Sequence, residues 1–217
     1  MANEAFELFF ALLALLALVG SLAIVAARFA GGPAGRSLVA GLAPLSIAVP
    51  ALVTSVSMVG SLYFSEAGET LKRFNTLDGQ GLKLLQKAGI TPVVITGRDS
   101  APLRLRLKAL GITHARFGTE DKRPAAEAFL RELKLDWTHA AAMGDDWPDL
   151  PVMQRAAFAC APANAHAQAK AIAHHITCER GGDGAARAFC DLLLVAGGHY
   201  ARLLAQVGVN DHPGASA

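Results

Sequence analysis

Two stretches decide the fold: TPVVITGRDS at residues 91–100 and HAAAMGDDWPD at residues 139–149. Each begins with a short apolar run and then passes directly into polar residues, as a buried strand does where it leaves a parallel sheet. The first stretch is followed by APLRLRLKALG at residues 101–111, which has the spacing of an amphipathic helix and ends at a glycine. Strand, helix and strand in this order predict a parallel sheet with helices on both of its faces.

Further elements extend this alternation into a Rossmann-like α/β domain that we place at residues 66–217. The segments SLYF and GETLKRF, residues 61–64 and 68–74, have the pattern of a β-hairpin. Helical spacing continues in three later segments, at residues 81–89, 124–134 and 185–207. We expect the last of these to form a single helix after the glycine-rich turn GGDG.

The N-terminal third has a different composition, which predicts a membrane location for the protein. Residues 8–27 are twenty uncharged residues, and a helix of that length reaches across a hydrocarbon layer of ~30 Å. A secretory signal peptide is the alternative, but Glu4 and Glu7 precede the run where positive charge would be expected. A second uncharged stretch covers residues 37–65. We therefore predict a two-span membrane segment at residues 1–65.

Charge and cysteine content exclude two classes of function. The formal net charge is +2 and the chain contains no run of Lys or Arg, so nothing favours binding to nucleic acid. The three cysteines, Cys160, Cys178 and Cys190, form no CxxC pair. Neither a disulfide framework nor a zinc site is indicated, and we expect all three to be buried thiols.

Polar residues that suit a phosphoryl group follow the predicted strand at residues 91–96. Ligands of parallel sheets bind at the carboxyl ends of the strands. Thr96, Gly97 and Arg98 offer a hydroxyl, an unobstructed backbone and a guanidinium there. Lys122, which lies between the two key strands in sequence, could neutralise a phosphate. Taken singly, the TGR segment also fits a simple turn and Lys122 a surface lysine.

Carboxylates follow the second key strand. Asp145 and Asp146 come directly after HAAAMG, and Asp149 lies one turn later. Carboxylate oxygens are the ligands that Mg²⁺ prefers, together with water and substrate phosphate. The same DDWPD segment also fits a helix N-cap followed by a proline in the first turn. Both interpretations stay open on these residues alone.

Order and spacing add a resemblance. ITGR, then a lysine, then MGDDxxDLP resemble motifs two, three and four of the haloacid dehalogenase superfamily. Over residues 60–207 the chain resembles the 3-deoxy-D-manno-octulosonate 8-phosphate phosphatases, through the segments RFNTLDGQGLKLLQKAGI, VVITGRDS, LKALGI, GTEDK, MGDDWPDLPVM and GGDGAARAFCDLLL. The resemblance implies Mg²⁺-dependent hydrolysis of the phosphomonoester of an eight-carbon sugar acid, in lipopolysaccharide precursor synthesis. It also implies a homotetramer without a separate cap domain.

The same resemblance assigns roles to individual residues. Thr96 would hold the phosphoryl group, Lys122 would balance its charge, Asp145 would bind Mg²⁺ and Asp149 would orient the metal shell. Arg187 would belong to a tail that helps a neighbouring subunit to close each site. The positions that match substrate contacts in the family are Asn75, Asp78, Gly79, Lys83, Gly97, Arg98, Arg106 and Lys122.

One motif of the family is missing. These phosphatases attack phosphorus with an aspartate, and a second aspartate two residues later acts as the acid/base group. An ungapped alignment puts Leu52 and Thr54 at these positions, and the first aspartate of the whole chain is Asp78. We therefore expect impaired hydrolysis. The alternative is a membrane-anchored module that binds a sugar phosphate without turnover.

A second resemblance concerns the N-terminus. Residues 1–68 resemble the first spans of DsbB-type disulfide-formation membrane proteins, with GSLYFSEAG shared between the two resemblances. A junction there would replace the first strand of the phosphatase with membrane helices, leaving that strand altered or missing. A remnant thiol oxidoreductase is a further alternative, although the CxxC pair it needs is absent.

Overall fold

The structure is a computed structural model that describes residues 51–54, 63–66 and 68–208. Its centre is a six-stranded sheet with the order β5–β4–β1–β6–β7–β8, in which every neighbouring pair is parallel. The strands of this sheet are β1 (Ala51–Thr54), β4 (Thr91–Ile95), β5 (His114–Arg116), β6 (Ala140–Met143), β7 (Phe158–Ala161) and β8 (His175–Ile176). A separate antiparallel hairpin pairs β2 (Tyr63–Ser65) with β3 (Gly68–Leu71).

Helices connect the strands. They are α1 (Thr76–Lys87), α2 (Ala101–Leu110), α3 (Lys122–Glu132), α4 (Leu150–Met153), α5 (Ala167–Ile172), α6 (Ala185–Ala196) and α7 (Tyr200–Ala205), with 3-10 turns at Trp137–His139 and Trp147–Asp149. Local sequence explains where they begin and end. Asn75 caps α1 by accepting from the N–H of Leu77 at 2.8 Å, and Gly111 ends α2 in the left-handed conformation.

Alternating strand residues divide the core between the two faces of the sheet. On one face Val94 and Met143 pack with the apolar sides of α1, α2 and α6. On the other face Val93 and Ala142 pack with α3, α4 and α5. The side-chain period of two along a strand produces this division, and the predicted parallel sheet with helices on both faces is confirmed.

β1 occupies the middle of the sheet. Leu52 is level with Pro92 of β4 and Ala141 of β6, and Thr54 is level with Val94 and Met143. The expectation that the first strand is altered or missing is therefore wrong at the level of the backbone. A central parallel strand is apolar on both faces and reads as an uncharged run, which is why this segment resembled a membrane span.

The prediction of a membrane location is likewise wrong. Within the described ranges, no helix is long and apolar enough to cross a membrane. Ala51–Thr54 and Tyr63–Ser65, which belong to the second predicted span, are strands. The first predicted span, at residues 8–27, lies outside the described residues.

The C-terminal segment also differs from the prediction. One helix was expected from residue 185 to 207, but the chain forms α6 and α7 with a break between them. Gly197 is the C-cap residue of α6, and Gly198 follows it with a φ of +70°. This left-handed conformation ends a helix and is open to glycine at little cost.

Candidate active site

Two loops meet at the carboxyl edge of the sheet, because β4 and β6 flank β1. Thr96 follows β4 and is buried. Its N–H donates to the carbonyl of Arg116 at 3.0 Å, and its Oγ1 accepts from the N–H of Arg98 at 3.1 Å. The Thr96 hydroxyl is thus held at the end of the strand, where a phosphoryl oxygen of a ligand in a parallel sheet would lie.

A buried ion pair joins the two loops. Lys122 begins α3, and its Nζ lies 2.6 Å from Oδ1 of Asp149. The two residues are 8% and 5% exposed, so their charges are screened little by water. The pair was not predicted, since 27 positions separate the residues. Lys122 is therefore not the surface lysine that its residue type alone suggests.

Asp149 uses both of its carboxylate oxygens. While Oδ1 accepts from Lys122, Oδ2 accepts from the N–H groups of Asp145 at 3.1 Å and Asp146 at 3.3 Å. Asp146 in turn caps the turn Trp147–Asp149 through its own side chain. The DDWPD segment is therefore an N-cap, and the same hydrogen bonds fix the backbone that carries Asp145.

The Asp145 carboxylate lies beside the Lys122–Asp149 pair. Partial burial is the largest influence and raises its pKa to about 6; the negative charge of Asp149 acts in the same direction, whereas Lys122 lowers the value. An anion in such a place is stabilised by a cation bound next to it. The environment of Asp145 is thus that of a carboxylate poised for a metal ion.

The fit to Mg²⁺ follows from this donor set. Across the part of the chain that the structure describes, no three His, Cys, Asp or Glu side chains converge as a metal cluster. Mg²⁺ does not need such a cluster, because it keeps several waters and takes one or two carboxylates with substrate phosphate. Asp145 can supply one such carboxylate, so the described residues fit a hydrated ion that is held by this side chain together with water and substrate phosphate.

Close packing behind the loop depends on Gly144. A Cβ at this position would lie 2.3 Å from Cβ of Asp149 and 2.8 Å from Sδ of Met153. Real Cβ atoms do not approach that closely, so a glycine lets the strand end pass against Asp149. The pattern MGDD contains this glycine but does not indicate its role in packing.

A cleft near the N-terminus of α1 gathers four of the residues predicted to contact substrate. Its lining consists of Arg73, Phe74, Asn75, Asp78, Gly79, Leu82, Arg106, Leu110 and Gly182. Gly79 makes room for Arg106, since a Cβ there would lie 2.2 Å from a guanidinium nitrogen. Asn75 is committed to capping α1 through its side-chain oxygen.

Asp78 has a structural contact that the sequence did not indicate. Its Oδ1 accepts from the N–H of Arg187 at 2.9 Å, in the first turn of α6. Burial raises the pKa of Asp78, and hydrogen bonds from backbone N–H groups of this turn oppose the shift. The Arg187 side chain pairs with Asp191 at 2.8 Å. Asp78 thus ties α1 to α6.

The remaining predicted substrate residues lie on the surface. Lys83, Gly97 and Arg98 are exposed. For the Arg98 guanidinium, no ion pair is found within the described ranges. The loop after β4 therefore presents a free cation next to the buried Thr96.

The backbone register locates the two positions aligned with the missing aspartates. The partners of Leu52, Pro92 and Ala141, come four positions before Thr96 and Asp145 along their strands. Leu52 thus lies further inside the sheet than the carboxyl edge. The absence of an aspartate does not depend on register, because none precedes Asp78 in the chain.

The cysteines do not form a redox pair. Cys160 and Cys190 are buried, as predicted, whereas Cys178 is exposed and all three are free thiols. Burial raises the pKa of the Cys160 thiol to about 12 and that of Cys190 further still. Such thiols are poor nucleophiles at neutral pH, so the structure offers no support for a thiol oxidoreductase.

Comparison with known proteins agrees with this geometry. A family model described as haloacid dehalogenase-like hydrolase matches residues 117–189. The 3-deoxy-D-manno-octulosonate 8-phosphate phosphatase KdsC of Yersinia pestis is 40% identical over 144 residues, which are 66% of this chain and 77% of that protein. The resemblance of residues 1–68 to DsbB-type proteins receives no support from these comparisons.

Two solved structures extend the agreement to the fold. The Moraxella catarrhalis 3-deoxy-D-manno-octulosonate 8-phosphate phosphatase, in complex with magnesium, phosphate and KDO, has a TM-score of 0.71 at 32% identity, covering 75% of this chain and 95% of that one. The cobalt-bound deoxy-D-mannose-octulosonate 8-phosphate phosphatase of Haemophilus influenzae has a TM-score of 0.69 at 32% identity, covering 71% and 92%.

Three observations support the same family: the sheet order, the loops after β4 and β6, and the sequence identity to these proteins. The predicted phosphoric monoester hydrolase family is confirmed by them. The chain belongs to the 3-deoxy-D-manno-octulosonate 8-phosphate phosphatases of the haloacid dehalogenase superfamily.

Proposed function

We propose that this protein binds Mg²⁺ and the 8-phosphate of 3-deoxy-D-manno-octulosonate but hydrolyses the ester far more slowly than its relatives. The observation that carries the proposal is the buried Lys122–Asp149 pair beside Asp145, in a chain without an aspartate before Asp78. The residues proposed to bind phosphate and the metal ion are present, whereas the aspartates of the family's first motif are not.

Each retained residue has a role that its contacts support. The held hydroxyl of Thr96 and the backbone of Gly97 would donate to phosphoryl oxygens, and Lys122 would neutralise their charge. Asp145 would hold Mg²⁺, which supplies further positive charge at the phosphoryl group. Asp149 would keep Lys122 and the Asp145 backbone in place.

Loss of the nucleophile affects the chemical step much more than binding. The family reaction passes through an aspartyl-phosphate, and neither leucine nor threonine at the aligned positions can form it. Removing a covalent nucleophile lowers turnover by orders of magnitude and leaves only a small residual acceleration from charge stabilisation and positioning. If no turnover remains, the protein would be a non-catalytic module that binds a sugar phosphate, which is the alternative named in the sequence analysis.

The cleft lined by Asn75, Asp78, Gly79 and Arg106 has a volume of only about 10 Å³, so the sugar acid would contact these residues at its mouth and would not fill it. The resemblance to the family implies a homotetramer in which a neighbour covers the cleft, and we include this assembly in the proposal. Leu71 and Leu77, which are 63% and 56% exposed, would then be candidates for contact with that neighbour. Sedimentation equilibrium of the full chain tests this assembly.

Phosphate release from 3-deoxy-D-manno-octulosonate 8-phosphate in the presence of Mg²⁺ tests the missing nucleophile. Leu52→Asp/Thr54→Asp restores the two carboxylates at the aligned positions. Pro92 and Ala141, the partners of Leu52, come four positions before Thr96 and Asp145. The variant Val56→Asp/Met58→Asp therefore places the two carboxylates four positions later in the chain. We expect turnover to appear in one variant and to be lost again when Asp145→Asn is added.

The outcomes are distinct. Full family-like turnover by the unmodified chain would contradict the proposal, because it would require a nucleophile other than an aspartate of β1. Calorimetry on the unmodified chain is the companion measurement. Binding of the sugar phosphate without turnover supports the proposal, whereas no binding with Mg²⁺ present contradicts it.

A further inference from the structure

Trp147 is the residue of the candidate site that the proposed function does not explain. It lies in the turn after β6, two positions after Asp145, and its side chain is 62% exposed. Removing a large apolar side chain from contact with water is favourable in free energy. Trp147 contributes little to the core in this position, so much of its apolar surface is available to a ligand.

The indole ring is held in place, although it is exposed. Its Nε1–H donates to Nδ1 of His166 at 3.1 Å, and the two rings meet edge to face with centroids 5.8 Å apart. The backbone N–H of Trp147 donates to Asp146 Oδ1 at 2.9 Å. An ordered aromatic ring loses less conformational entropy on binding a ligand than a mobile one does.

His166 connects this ring to the metal-binding loop. It follows β7, the strand next to β6, and its N–H donates to the carbonyl of Asp145 at 2.8 Å. The same loop contains Asn164, whose Oδ1 accepts from the N–H of Gly181 at 2.6 Å. Gly182, the next residue, lines the sugar cleft. The Trp147–His166 pair therefore lies beside the loop that carries Asp145, and Asn164 links the same region to the segment that contains Gly182.

The free part of the indole is apolar. Its one N–H is occupied by His166, so a ligand that meets Trp147 meets the carbon surface of the ring. Sugar acids present carbon–hydrogen groups between their hydroxyls, and such groups pack well on aromatic faces, as in other ligand pockets lined by aromatic side chains. Inorganic phosphate has no such surface. Trp147 can therefore distinguish the sugar phosphate from phosphate alone.

We propose that Trp147 is a specificity-determining residue that packs against the carbon chain of the sugar acid, with His166 as the positioning residue that orients the indole. This inference rests on the proposed function, because it assumes that a sugar phosphate occupies the site. It adds a contact that depends on the carbon skeleton and not on phosphate or metal.

Intrinsic fluorescence gives a direct readout, since the chain has two tryptophans. Trp137 lies in the turn before β6, at the opposite end of that strand from Trp147. In a Trp137→Phe variant Trp147 is the sole tryptophan, and excitation at the long-wavelength edge of its absorption band avoids the two tyrosines. With Mg²⁺ present, we expect 3-deoxy-D-manno-octulosonate 8-phosphate to shift and quench its emission. Inorganic phosphate at saturation should leave the emission unchanged.

Calorimetry on the full chain with Mg²⁺ separates the contact from phosphate binding. Trp147→Ala should weaken the affinity for the sugar phosphate about tenfold and leave the affinity for inorganic phosphate unchanged. Trp147→Phe keeps an aromatic face and should recover most of the loss. His166→Ala should give an intermediate effect, because the ring remains but is no longer held.

Several results would overturn the inference. If Trp147→Ala binds the sugar phosphate as tightly as the unmodified protein, the contact does not exist and the proposed function stands. If the variant loses affinity for both ligands equally, Trp147 supports the phosphate loop instead. A lower mass of Trp147→Ala in sedimentation would assign the ring to a subunit interface. Failure of the unmodified protein to bind either ligand would overturn both proposals.

Discussion

At the scale of single residues, the site is organised by charges that are placed in pairs. Residue types and strand ends predicted Thr96, Lys122, Asp145 and Asp149 as members of one site. Sequence alone could not predict that Lys122 and Asp149 bond directly, because tertiary structure brings them together. The buried Lys122 is paired with a carboxylate that is buried with it, so neither side chain is left in the interior without a partner.

Asp145 provides a test by pH. Its pKa is raised to about 6 from an ordinary value of 3.8, so the folded state binds this proton more tightly than the unfolded state does. The resulting stabilisation is complete below about pH 4 and is lost as the pH rises through 6. We expect Asp145→Asn to raise the free energy of unfolding at pH 7.5, by about 1–3 kcal/mol without Mg²⁺, and to change it little at pH 4.

Urea denaturation with a metal chelator measures this difference. Asp146→Asn is the matched control, because Asp146 is exposed and an asparagine can keep its N-cap. The control should change stability little at either pH. An equal effect of Asp145→Asn at pH 4 and pH 7.5 would contradict a titration of Asp145, and Mg²⁺ should stabilise the unmodified protein more than the variant.

At the scale of elements, prediction succeeded where the pattern was unambiguous. Periodicity predicted the strands β4 and β6 and the helices α2 and α3, and the structure confirms all four. β1 was missed because an uncharged run fits a central parallel strand and a membrane span equally well. The sequence did not predict the break between α6 and α7, because the helical spacing of apolar residues continues on both sides of Gly198. The glycine that ends the helix was therefore not recognised as a C-terminal signal.

The loop after β6 provides a test at this scale. Gly144→Ala would place a Cβ 2.3 Å from Asp149 Cβ, so the strand end and the turn must separate. We expect a loss of roughly 2–4 kcal/mol in the free energy of unfolding, from strain and from weakening of the Lys122–Asp149 pair. Gly97→Ala is the control in the loop after β4, where the nearest atom would be 3.8 Å away.

Thermal unfolding compares the two alanine variants. Gly97→Ala should unfold close to the temperature of the unmodified protein, and Gly144→Ala should unfold well below it. Equal unfolding temperatures would mean that Asp149 can shift without cost and that the two loops are not locked to each other.

At the scale of the whole molecule, the sheet depends on a strand that comes before the segment first assigned to the α/β domain. Without β1 the sheet would be divided into β5–β4 and β6–β7–β8, with two new edges in the middle of the core. The boundary proposed at residue 65 therefore separates strands that pair with one another. A compact unit that spans Ile47–Ala217 keeps them together.

Fragments test this dependence. We expect the fragment Ile47–Ala217 to unfold cooperatively in urea, and a fragment of residues 66–217 to lack a cooperative transition. Val53→Pro in the full chain is a second test without truncation, because proline disrupts a central strand. Ser65→Pro in the separate hairpin is its control and should be milder. A stable, cooperative fragment of residues 66–217 would contradict a structural role for β1.

The position of β1 also constrains how the chain can fold during its synthesis. Its partners in the sheet begin at Thr91 and at Ala140, so the second pairing must wait until well over half of the chain has been translated. Contacts between residues so distant in sequence form slowly, since a long loop must close first. Until then an apolar strand stays unpaired on the nascent chain, where it is exposed to aggregation and to chaperones.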